Sequence, residues 1–271
     1  NWDNERFNVD AFQKAVQFQF KETNDSQGLA LYIHLPFCES LCTFCACHKY
    51  ITKRHEQEIP YIEAVIKEWD MYIQLFAKAS NSKPILRELH LGGGTPTFFA
   101  PQNLEYLLTS IYKKVKLAPD FEGSFEGHPE STSTQHLSTL HKFGFTRLSI
   151  GVQDYNIKVQ QAIHRMQSFD QVAQVHLEAL QLGYTSISQD LVYGLPFQSL
   201  EDLQYTIERT LELKPDRIAF YSYAHVPWIK GLGQRGFSEE DLPTPDLKLE
   251  MLTFATQALL QAGYVAIGMD H

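Results

Sequence analysis

The chain has 271 residues, 44% of them hydrophobic and 13% aromatic, which is enough for one large α/β domain with a substantial core. Its formal net charge of -9 at pH 7 argues against a nucleic-acid-binding surface, so we expect no nucleic-acid partner. No run of 18 or more apolar residues exists, and no membrane span is therefore predicted. No targeting-like segment is recognised, and we expect a cytoplasmic protein.

Strand-like and helix-like segments alternate along the chain without internal repeats or an obvious linker. The predicted strands are Leu29 to His34, Leu86 to Leu91, Gly123 to Glu126, Thr146 to Val152, Ser186 to Val192, Arg217 to Tyr223 and a seventh run, Tyr264 to Gly268. The predicted helices are Ile59 to Ala79, Gln102 to Lys116, Thr134 to Phe143, Phe169 to Leu182, Leu200 to Leu213 and Asp246 to Ala262. This alternation predicts a parallel sheet, either an open doubly wound sheet or a barrel.

All four cysteines fall within ten residues, directly after the first predicted strand, as Cys38, Cys42, Cys45 and Cys47. A disulfide framework would need cysteines distributed along the chain, and a structural zinc site usually draws its ligands from two separated pairs. Three thiols at the spacing C-x3-C-x2-C can instead surround one compact iron–sulfur cluster. Three protein ligands leave one iron of a 4Fe-4S cube open, and a small molecule can bind there. Free thiols of this kind also suit a reducing compartment.

Polar or small residues follow several of the predicted strands. The turn from Gly92 to Pro96 lacks the lysine of a phosphate-binding loop, and its glycines allow the backbone to approach a ligand closely. The other strand exits are Glu126, Gln153, Asp190 and the pair Ala224 and His225. Each of these alone is better interpreted as a solvated cap or a helix start. In a parallel barrel, however, all strand ends would face one site.

The segment from Tyr32 to Cys45, YIHLPFCESLCTFC, resembles the cluster loop of radical S-adenosylmethionine enzymes. The resemblance implies an α/β fold, a partial (β/α)6 TIM-like barrel of radical S-adenosylmethionine type with short extensions. It also implies a 4Fe-4S cluster whose open iron binds S-adenosylmethionine and cleaves it to methionine and a 5′-deoxyadenosyl radical. Because the cofactor carries this chemistry, no protein side chain is assigned a catalytic role.

Nearly the whole chain resembles the oxygen-independent coproporphyrinogen III dehydrogenases, also called oxidases. The matching motifs are C-x3-C-x2-C-x-C ending at Cys47, GGGTPT at Gly92 to Thr97, GVQDYN at Gly151 to Asn156, HRMQ at His164 to Gln167, DLVYGLP at Asp190 to Pro196, YAHVP at Tyr223 to Pro227 and GMDH at Gly268 to His271. The resemblance implies oxidative decarboxylation of two propionates of coproporphyrinogen III in haem biosynthesis, giving protoporphyrinogen IX. It further implies an electron donor such as flavodoxin or ferredoxin, and we expect a monomer.

The resemblance also assigns roles to individual positions. Cys38, Cys42 and Cys45 would be the iron ligands, and Cys47 a non-ligand. The positions that match contacts to the cluster-bound S-adenosylmethionine are Tyr32, Gly93, Glu126 and Ala224. Those around a second S-adenosylmethionine described for the family are Phe44, Gly94, Thr95, Gln153, Arg165 and Asp190. For Arg165, a surface ion pair is the alternative interpretation.

The chain departs from the family pattern in two respects. Where the family commonly has Glu-Val-Asp-Pro, the segment from Glu126 to Pro129 reads EGHP, so His128 replaces a carboxylate. Family members also continue beyond the GMDH motif into a largely helical domain. We therefore expect an N-terminal extension at 1–28, a barrel domain at 29–271, no C-terminal helical domain, and a chain that is a fragment of a longer enzyme.

Two alternatives remain open at the level of sequence. A radical S-adenosylmethionine homologue that binds and delivers haem is the alternative function, and Cys47, Asp154 and Asp270 favour the dehydrogenase over it. The basic run from Lys49 to His55 could recognise propionates. A solvated basic turn is the preferred interpretation of that run.

Overall fold

The computed structural model describes residues 8–268 and 270–271, so residues 1–7 of the predicted extension and Met269 of the GMDH motif lie outside the described residues. The strands are β1 (Leu29–Leu35), β2 (Phe37–Cys38), β3 (Tyr50–Ile51), β4 (Ile85–Gly93), β5 (Lys116–Gly127), β6 (Phe145–Gln153), β7 (Ser186–Tyr193) and β8 (Arg217–Ser222). The α-helices are α1 (Val9–Thr23), α2 (Glu58–Ala79), α3 (Pro101–Tyr112), α4 (Thr134–Lys142), α5 (Ile157–Ala162), α6 (Phe169–Leu182), α7 (Leu200–Leu213) and α8 (Pro245–Gln261).

A six-stranded sheet with the order β1-β4-β5-β6-β7-β8 forms the centre of the molecule, and all neighbouring strands are parallel. Sheet order follows chain order, and right-handed crossovers therefore place the connecting helices on one face. Helices α2, α3 and α4 pack in succession, and α4, α6, α7 and α8 continue the layer. A doubly wound sheet would need a reversal of strand order, which is not found in the described sheet. The predicted partial (β/α)6 barrel is confirmed.

The two faces of the sheet differ in chemistry because side chains alternate along each strand. The face under the helices carries fully buried apolar residues that join the main hydrophobic core, among them Leu89, Leu91, Phe125, Leu148 and Ile150. The opposite, concave face carries Tyr32, His90, Ser124, Arg147 and Asp190, none of which is fully buried. A polar concave face that ends at the carboxyl edge of the sheet is a suitable wall for a binding site.

Most predicted elements are confirmed within a few residues, but several differ, and the short elements β2, β3 and α5 were not predicted. The helix predicted over 102–116 ends at Tyr112, and β5 already begins at Lys116. The helix α1 was missed; its Phe20 stacks on Phe76 of α2 with a ring-centroid distance of 4.3 Å. The prediction of a seventh strand is wrong, because the described residues 264–268 form no strand. One backbone hydrogen bond from Phe220 N–H to the Asp270 carbonyl, 2.8 Å, lies at this edge, and a strand needs a ladder of such bonds.

Asp154 joins the end of β6 to the helices that follow it. Its fully buried carboxylate accepts hydrogen bonds from the Asn156 N–H at 2.5 Å and from the Gln198 amide at 2.6 Å. Its backbone carbonyl accepts from the Gln160 amide at 2.9 Å. Burial raises the pKa of Asp154 to about 7, while these hydrogen bonds act in the opposite direction. The aspartate of the GVQD motif is therefore a structural anchor beneath the strand end.

We expect Asp154→Ala to lower the free energy of unfolding by about 2 to 4 kcal/mol, because two buried donors lose their acceptor. Urea unfolding followed by circular dichroism measures the change. Glu208→Ala on the exposed side of α7 is the matched control and should shift stability by less than about 0.5 kcal/mol. Equal effects for the two variants would contradict the anchoring role.

Candidate active site

A cavity of about 600 Å³ opens at the carboxyl ends of the sheet strands. Its wall is formed by the cysteine loop after β1, the glycine turn after β4 and the ends of β5, β6, β7 and β8. The predicted site residues that line it are Cys38, Cys42, Phe44, Cys45, Gly93, Gly94, Thr95, Glu126, Gln153, Arg165 and Asp190. Parallel strands end at the same edge, and the polar strand exits therefore converge on the cysteine loop.

Two predicted residues, Tyr32 and Ala224, do not line this cavity. Tyr32 lies on the concave face of β1, where its hydroxyl is hydrogen-bonded to His34 Nδ1 at 3.0 Å and its ring stacks on His90 at 5.7 Å. Ala224 lies just after β8, and its carbonyl accepts a hydrogen bond from the Gln234 amide at 3.2 Å. Neither side chain therefore forms part of the cavity wall.

Sequence reasoning missed several residues of the cavity wall, in particular Tyr221 and Ser131. Tyr221 lies four residues after Arg217 on β8, and strand alternation places both on the concave face. That alternation was a signal in the sequence which could have identified Tyr221. Ser131 contacts Thr97, whose hydroxyl is 2.8 Å from the serine hydroxyl. No local sequence pattern predicts this contact.

The glycine turn lies directly against the start of the cysteine loop. The Gly94 N–H donates to the Leu35 carbonyl at 2.9 Å, and the Thr95 N–H donates to the Phe37 carbonyl at 3.0 Å. A Cβ atom at Gly94 would collide with the Pro36 carbonyl, so only glycine permits this approach. The Thr95 hydroxyl lies 3.4 Å from Cys38 Sγ. The glycine turn therefore fixes the backbone that leads into Cys38.

The middle of the cysteine loop is held by the segment around α5. The Thr43 N–H donates to the Ile163 carbonyl at 3.0 Å, and the Thr43 hydroxyl donates to the Ala162 carbonyl at 3.2 Å. Arg165 extends from the same segment into the cavity, with Nη1 at 3.8 Å from Cys42 Sγ and Nη2 donating to the Gly151 carbonyl at 2.5 Å. Arg165 is thus a cavity residue, and the alternative of a surface ion pair is wrong.

The loop after β8 holds the cysteine loop from the other side through Gln234, which is 1% exposed. Its amide nitrogen donates to the carbonyls of Phe44 at 3.1 Å and Ala224 at 3.2 Å, and its amide oxygen accepts from the Val226 N–H at 2.6 Å. All three bonds use the geometry of one planar amide. Gln234 therefore joins the cysteine loop to a strand end about 180 residues further along the chain.

Lys49 ends the cysteine loop and lines the cavity. Its ammonium donates to the Cys45 carbonyl at 2.9 Å and to the Cys47 carbonyl at 3.3 Å. The basic run is therefore not wholly a solvated turn, because its first lysine stabilises the loop backbone.

The carboxylates of the cavity are held by specific donors. Glu126 Oε2 accepts from the Gly93 N–H at 3.2 Å, and Glu126 Oε1 lies 3.4 Å from His90 Nε2. Asp190 accepts from the Ser149 hydroxyl at 2.8 Å, and burial raises the pKa of Asp190. Both side chains present oxygen atoms that can accept hydrogen bonds from an amine or from ribose hydroxyls.

The donor set fits a three-cysteine cluster better than a single metal ion. Among the described residues, no three histidine, cysteine or acidic side chains lie close enough to hold one ion. Three thiolates that each bind a different iron of a cube do not need to meet at one point. All four cysteines line the cavity; Cys38, Cys42 and Cys45 are partly buried, whereas Cys47 is exposed. These positions fit a 4Fe-4S cluster.

His128 takes the place of the family carboxylate without acting as a charged group. Its Nδ1 accepts a hydrogen bond from the Glu130 N–H at 3.2 Å, which requires an unprotonated Nδ1. Burial and, to a smaller extent, the neighbouring Arg165 lower the pKa of His128 to about 3. A neutral histidine therefore makes the loop contact that an aspartate at this position could also make.

We expect Gln234→Glu to lower the free energy of unfolding by about 2 to 4 kcal/mol, because a carboxylate would face the Phe44 and Ala224 carbonyls without a proton to donate. The two side chains have the same shape, so the variant tests the hydrogen bonds separately from packing. Urea unfolding at pH 8 measures the loss. Gln135→Glu on the exposed surface of α4 is the control. A loss no larger than that of the control would exclude this role of Gln234.

We expect His128 to make the protein less stable in mild acid. Its folded-state pKa lies below the unfolded value of about 6.5, so the unfolded state binds the proton more readily and stability decreases as the pH falls below 6.5. The stability of the wild type relative to His128→Gln should fall by on the order of 1 kcal/mol per pH unit. Unfolding curves of both proteins at pH 7, 6 and 5 measure this, and parallel pH profiles would show that His128 does not contribute.

The comparisons with known proteins agree with this geometry. Residues 32–210 match the family model of the radical SAM superfamily, where SAM is S-adenosylmethionine. The chain is 41% identical over 268 residues to the oxygen-independent coproporphyrinogen III oxidase of Helicobacter pylori strain J99, a match that covers 98% of this chain and 57% of the relative. The enzyme of the same name from Escherichia coli strain K12 is 38% identical over 98% of this chain and 56% of its own length.

A solved structure of coproporphyrinogen III oxidase from Escherichia coli, described as a radical SAM enzyme, superposes with a TM-score of 0.90 at 36% identity. The superposition covers 98% of this chain and 59% of that structure. The chain thus spans a little over half the length of the relatives it matches. Within its described residues, no helix has both the length and the apolar character needed to cross a membrane. The family model covers more than half of the sequence, and the chain therefore belongs to the radical SAM superfamily.

Proposed function

We propose that this chain carries the catalytic barrel of an oxygen-independent coproporphyrinogen III oxidase, which converts coproporphyrinogen III to protoporphyrinogen IX without oxygen. The observation that carries the proposal is the cavity in which Cys38, Cys42 and Cys45 face the polar ends of the sheet strands. Sequence similarity to enzymes of this name along nearly the whole chain supports the choice of substrate.

A 4Fe-4S cluster on the three cysteines, with S-adenosylmethionine at its open iron, would supply a 5′-deoxyadenosyl radical as the oxidant. For each propionate, the radical would take up one hydrogen atom, carbon dioxide would leave, and the remaining electron would pass to a one-electron acceptor as the vinyl group forms. The protein's contribution is to hold these groups and to exclude competing reactions. Thr43, Thr95 and Gln234 fix the loop that carries the thiolates.

The cavity residues are proposed to bind S-adenosylmethionine through complementary hydrogen bonds. Tyr32, Gly93, Glu126 and Ala224 would contact the molecule at the cluster. Phe44, Gly94, Thr95, Gln153, Arg165 and Asp190 would surround a second molecule, which is consistent with a reaction that is carried out twice on one substrate. Glu126 and Asp190 supply acceptors for amines and hydroxyls, and Arg165 supplies a cation for a carboxylate.

The location of the enzyme, its electron donor, its oligomeric state and the bounds of its barrel are also proposed. The negative charge of the protein suits a cytoplasmic enzyme without a nucleic-acid partner. An electron donor such as flavodoxin or ferredoxin would supply electrons, and we propose that the protein acts as a monomer. The barrel is proposed to extend over 29–271, with the segment before it as an N-terminal extension that packs α1 against α2.

Serine variants of the four cysteines separate ligand from non-ligand. After anaerobic reconstitution with iron and sulfide, Cys38→Ser, Cys42→Ser and Cys45→Ser should each lose most of the cluster, measured as iron and sulfide content and as absorbance of the cluster. Cys47→Ser should keep it, because Cys47 is exposed and its thiolate is not needed for three-point ligation. Loss of the cluster in the Cys47 variant, or its retention in the other three, would contradict the ligand assignment.

The reaction itself is tested by incubating the reconstituted protein anaerobically with coproporphyrinogen III, S-adenosylmethionine and a reductant. Formation of protoporphyrinogen IX together with 5′-deoxyadenosine supports the proposal. Haem titration addresses the alternative function. Stoichiometric haem binding without decarboxylation would replace the proposed enzyme with a haem-delivery protein.

A further inference from the structure

Two arginines lie on the concave face of the sheet, closer to its amino edge than the cavity. Arg147 is the third residue of β6, and Arg217 is the first residue of β8. Alternation along β6 places Arg147 on the same face as Ser149 and Gly151, and alternation along β8 places Arg217 on the same face as Tyr221. Gly151 and Tyr221 line the cavity. Both arginines therefore lie on the concave face, although neither lines that cavity. Arg217 also borders a second cavity, of about 760 Å³, between β8 and α8.

Small residues separate the two arginines. Strand β7 lies between β6 and β8, and its register pairs Ser186 with Arg147 and Ser188 with Arg217. Ser188 shares the concave face with Asp190, since the two are two residues apart. A serine between two arginines does not fill the space that their long side chains span.

The two guanidinium groups have unequal partners within the protein. Arg147 donates to Glu122 on β5 at 2.5 Å. The Arg217 side chain makes no hydrogen bond or ion pair with any residue in the described part of the chain, and its Nε is shielded from solvent without an acceptor. A shielded donor of this kind usually has a partner, and the described residues do not provide one.

The neighbouring charges act on Arg217 in both directions. Burial, and after it the neighbouring charge of Arg147, lowers the pKa of Arg217, whereas Glu122, Asp190 and Asp216 act in the opposite direction. Burial is the largest of these effects, so the lowered pKa reflects the shielding of the guanidinium from water and not an excess of positive charge. An additional anion beside Arg217 would supply the missing acceptor for its Nε. Guanidinium groups bind carboxylates in a bidentate manner, and this geometry favours a carboxylate as that anion.

We propose that Arg217, together with Arg147, forms a carboxylate-binding site for the substrate. The identity of the substrate rests on the proposed function, and the ligand class rests on the two arginines. Arg217 lies four residues from Tyr221, about 13 Å along the strand. A carboxylate bound there belongs to a part of a large, multiply acidic molecule that is remote from the cluster. The site holds a non-reacting propionate and so orients the macrocycle while another propionate lies at the cavity.

Binding of two porphyrins tests this inference without any cluster chemistry. Coproporphyrin III carries four carboxylates, and its tetramethyl ester carries none. Fluorescence titration should show that the wild type binds the acid more tightly than the ester. Arg217→Gln should weaken binding of the acid by at least about tenfold and leave the ester unchanged, because the variant removes the charge and the paired donors. Arg217→Lys should restore part of the affinity.

Arg209→Gln on α7 is the matched control, since Arg209 lies on the helical side of the sheet and pairs with Glu212 at 2.9 Å. It should bind both porphyrins as the wild type does. Unfolding curves of each variant establish that a loss of binding is not a loss of fold, and Arg147→Gln provides a second variant at the site. In turnover, Arg217→Gln should raise KM for coproporphyrinogen III without changing the affinity for S-adenosylmethionine.

The outcomes distinguish this inference from the proposed function. Equal binding of acid and ester by the wild type, unchanged acid binding in Arg217→Gln, or equal weakening of both porphyrins would overturn the carboxylate site. If the acid preference depends on Arg217 but no coproporphyrinogen is decarboxylated, the carboxylate site stands and the proposed reaction fails. If coproporphyrinogen is decarboxylated but Arg217→Gln binds the acid as the wild type does, the proposed reaction stands and the carboxylate site fails.

Discussion

The structure depends on one constraint of parallel sheets: strands that run in the same direction end at the same edge. Six strands in chain order bring side chains from Cys38 to Tyr221 to the wall of one cavity, although about two thirds of the chain separates them. The helices lie on the apolar face and leave the other face polar. The sheet therefore acts as a rigid frame that positions short loops, and the loops supply the chemistry.

The cysteine loop is too short to fold by itself, and its shape comes from contacts at three sides. The glycine turn supports its start, Thr43 ties its middle to the segment around α5, and Gln234 fixes the backbone of Phe44 from the loop after β8. Each contact uses a backbone group of the cysteine loop, so it determines where the thiols point without touching a metal. Preorganisation of this kind is what a cluster ligand set requires, because its geometry cannot be left to a mobile loop.

The polar concave face extends beyond the cavity. Its charged side chains form two levels, one near the carboxyl edge of the sheet and one nearer the amino edge. Near the carboxyl edge lie Glu126 and Asp190, which are acceptors with hydrogen-bond donors of their own. Further towards the amino edge lie Arg147 and Arg217; within the described part of the chain, the Arg147 side chain has an acceptor and Arg217 Nε has none. A substrate that carries several carboxylates can interact with the arginines of the second level while its reacting group lies near Glu126 and Asp190. Binding energy from the remote level can then contribute to orientation at the reacting end.

The sequence by itself determined the order of the strands and helices, the cysteine spacing and the convergence of Glu126, Gln153 and Asp190, because these follow from local periodicity and from the general geometry of parallel sheets. Only the tertiary structure decided that Tyr32 and Ala224 do not line the cavity, that Asp154 is a buried anchor, and that His128 is neutral. It also revealed Gln234 and the arginine pair. Hydrogen bonds between segments far apart in the chain leave no local pattern, since a single glutamine or arginine is as compatible with a solvated surface as with a buried contact.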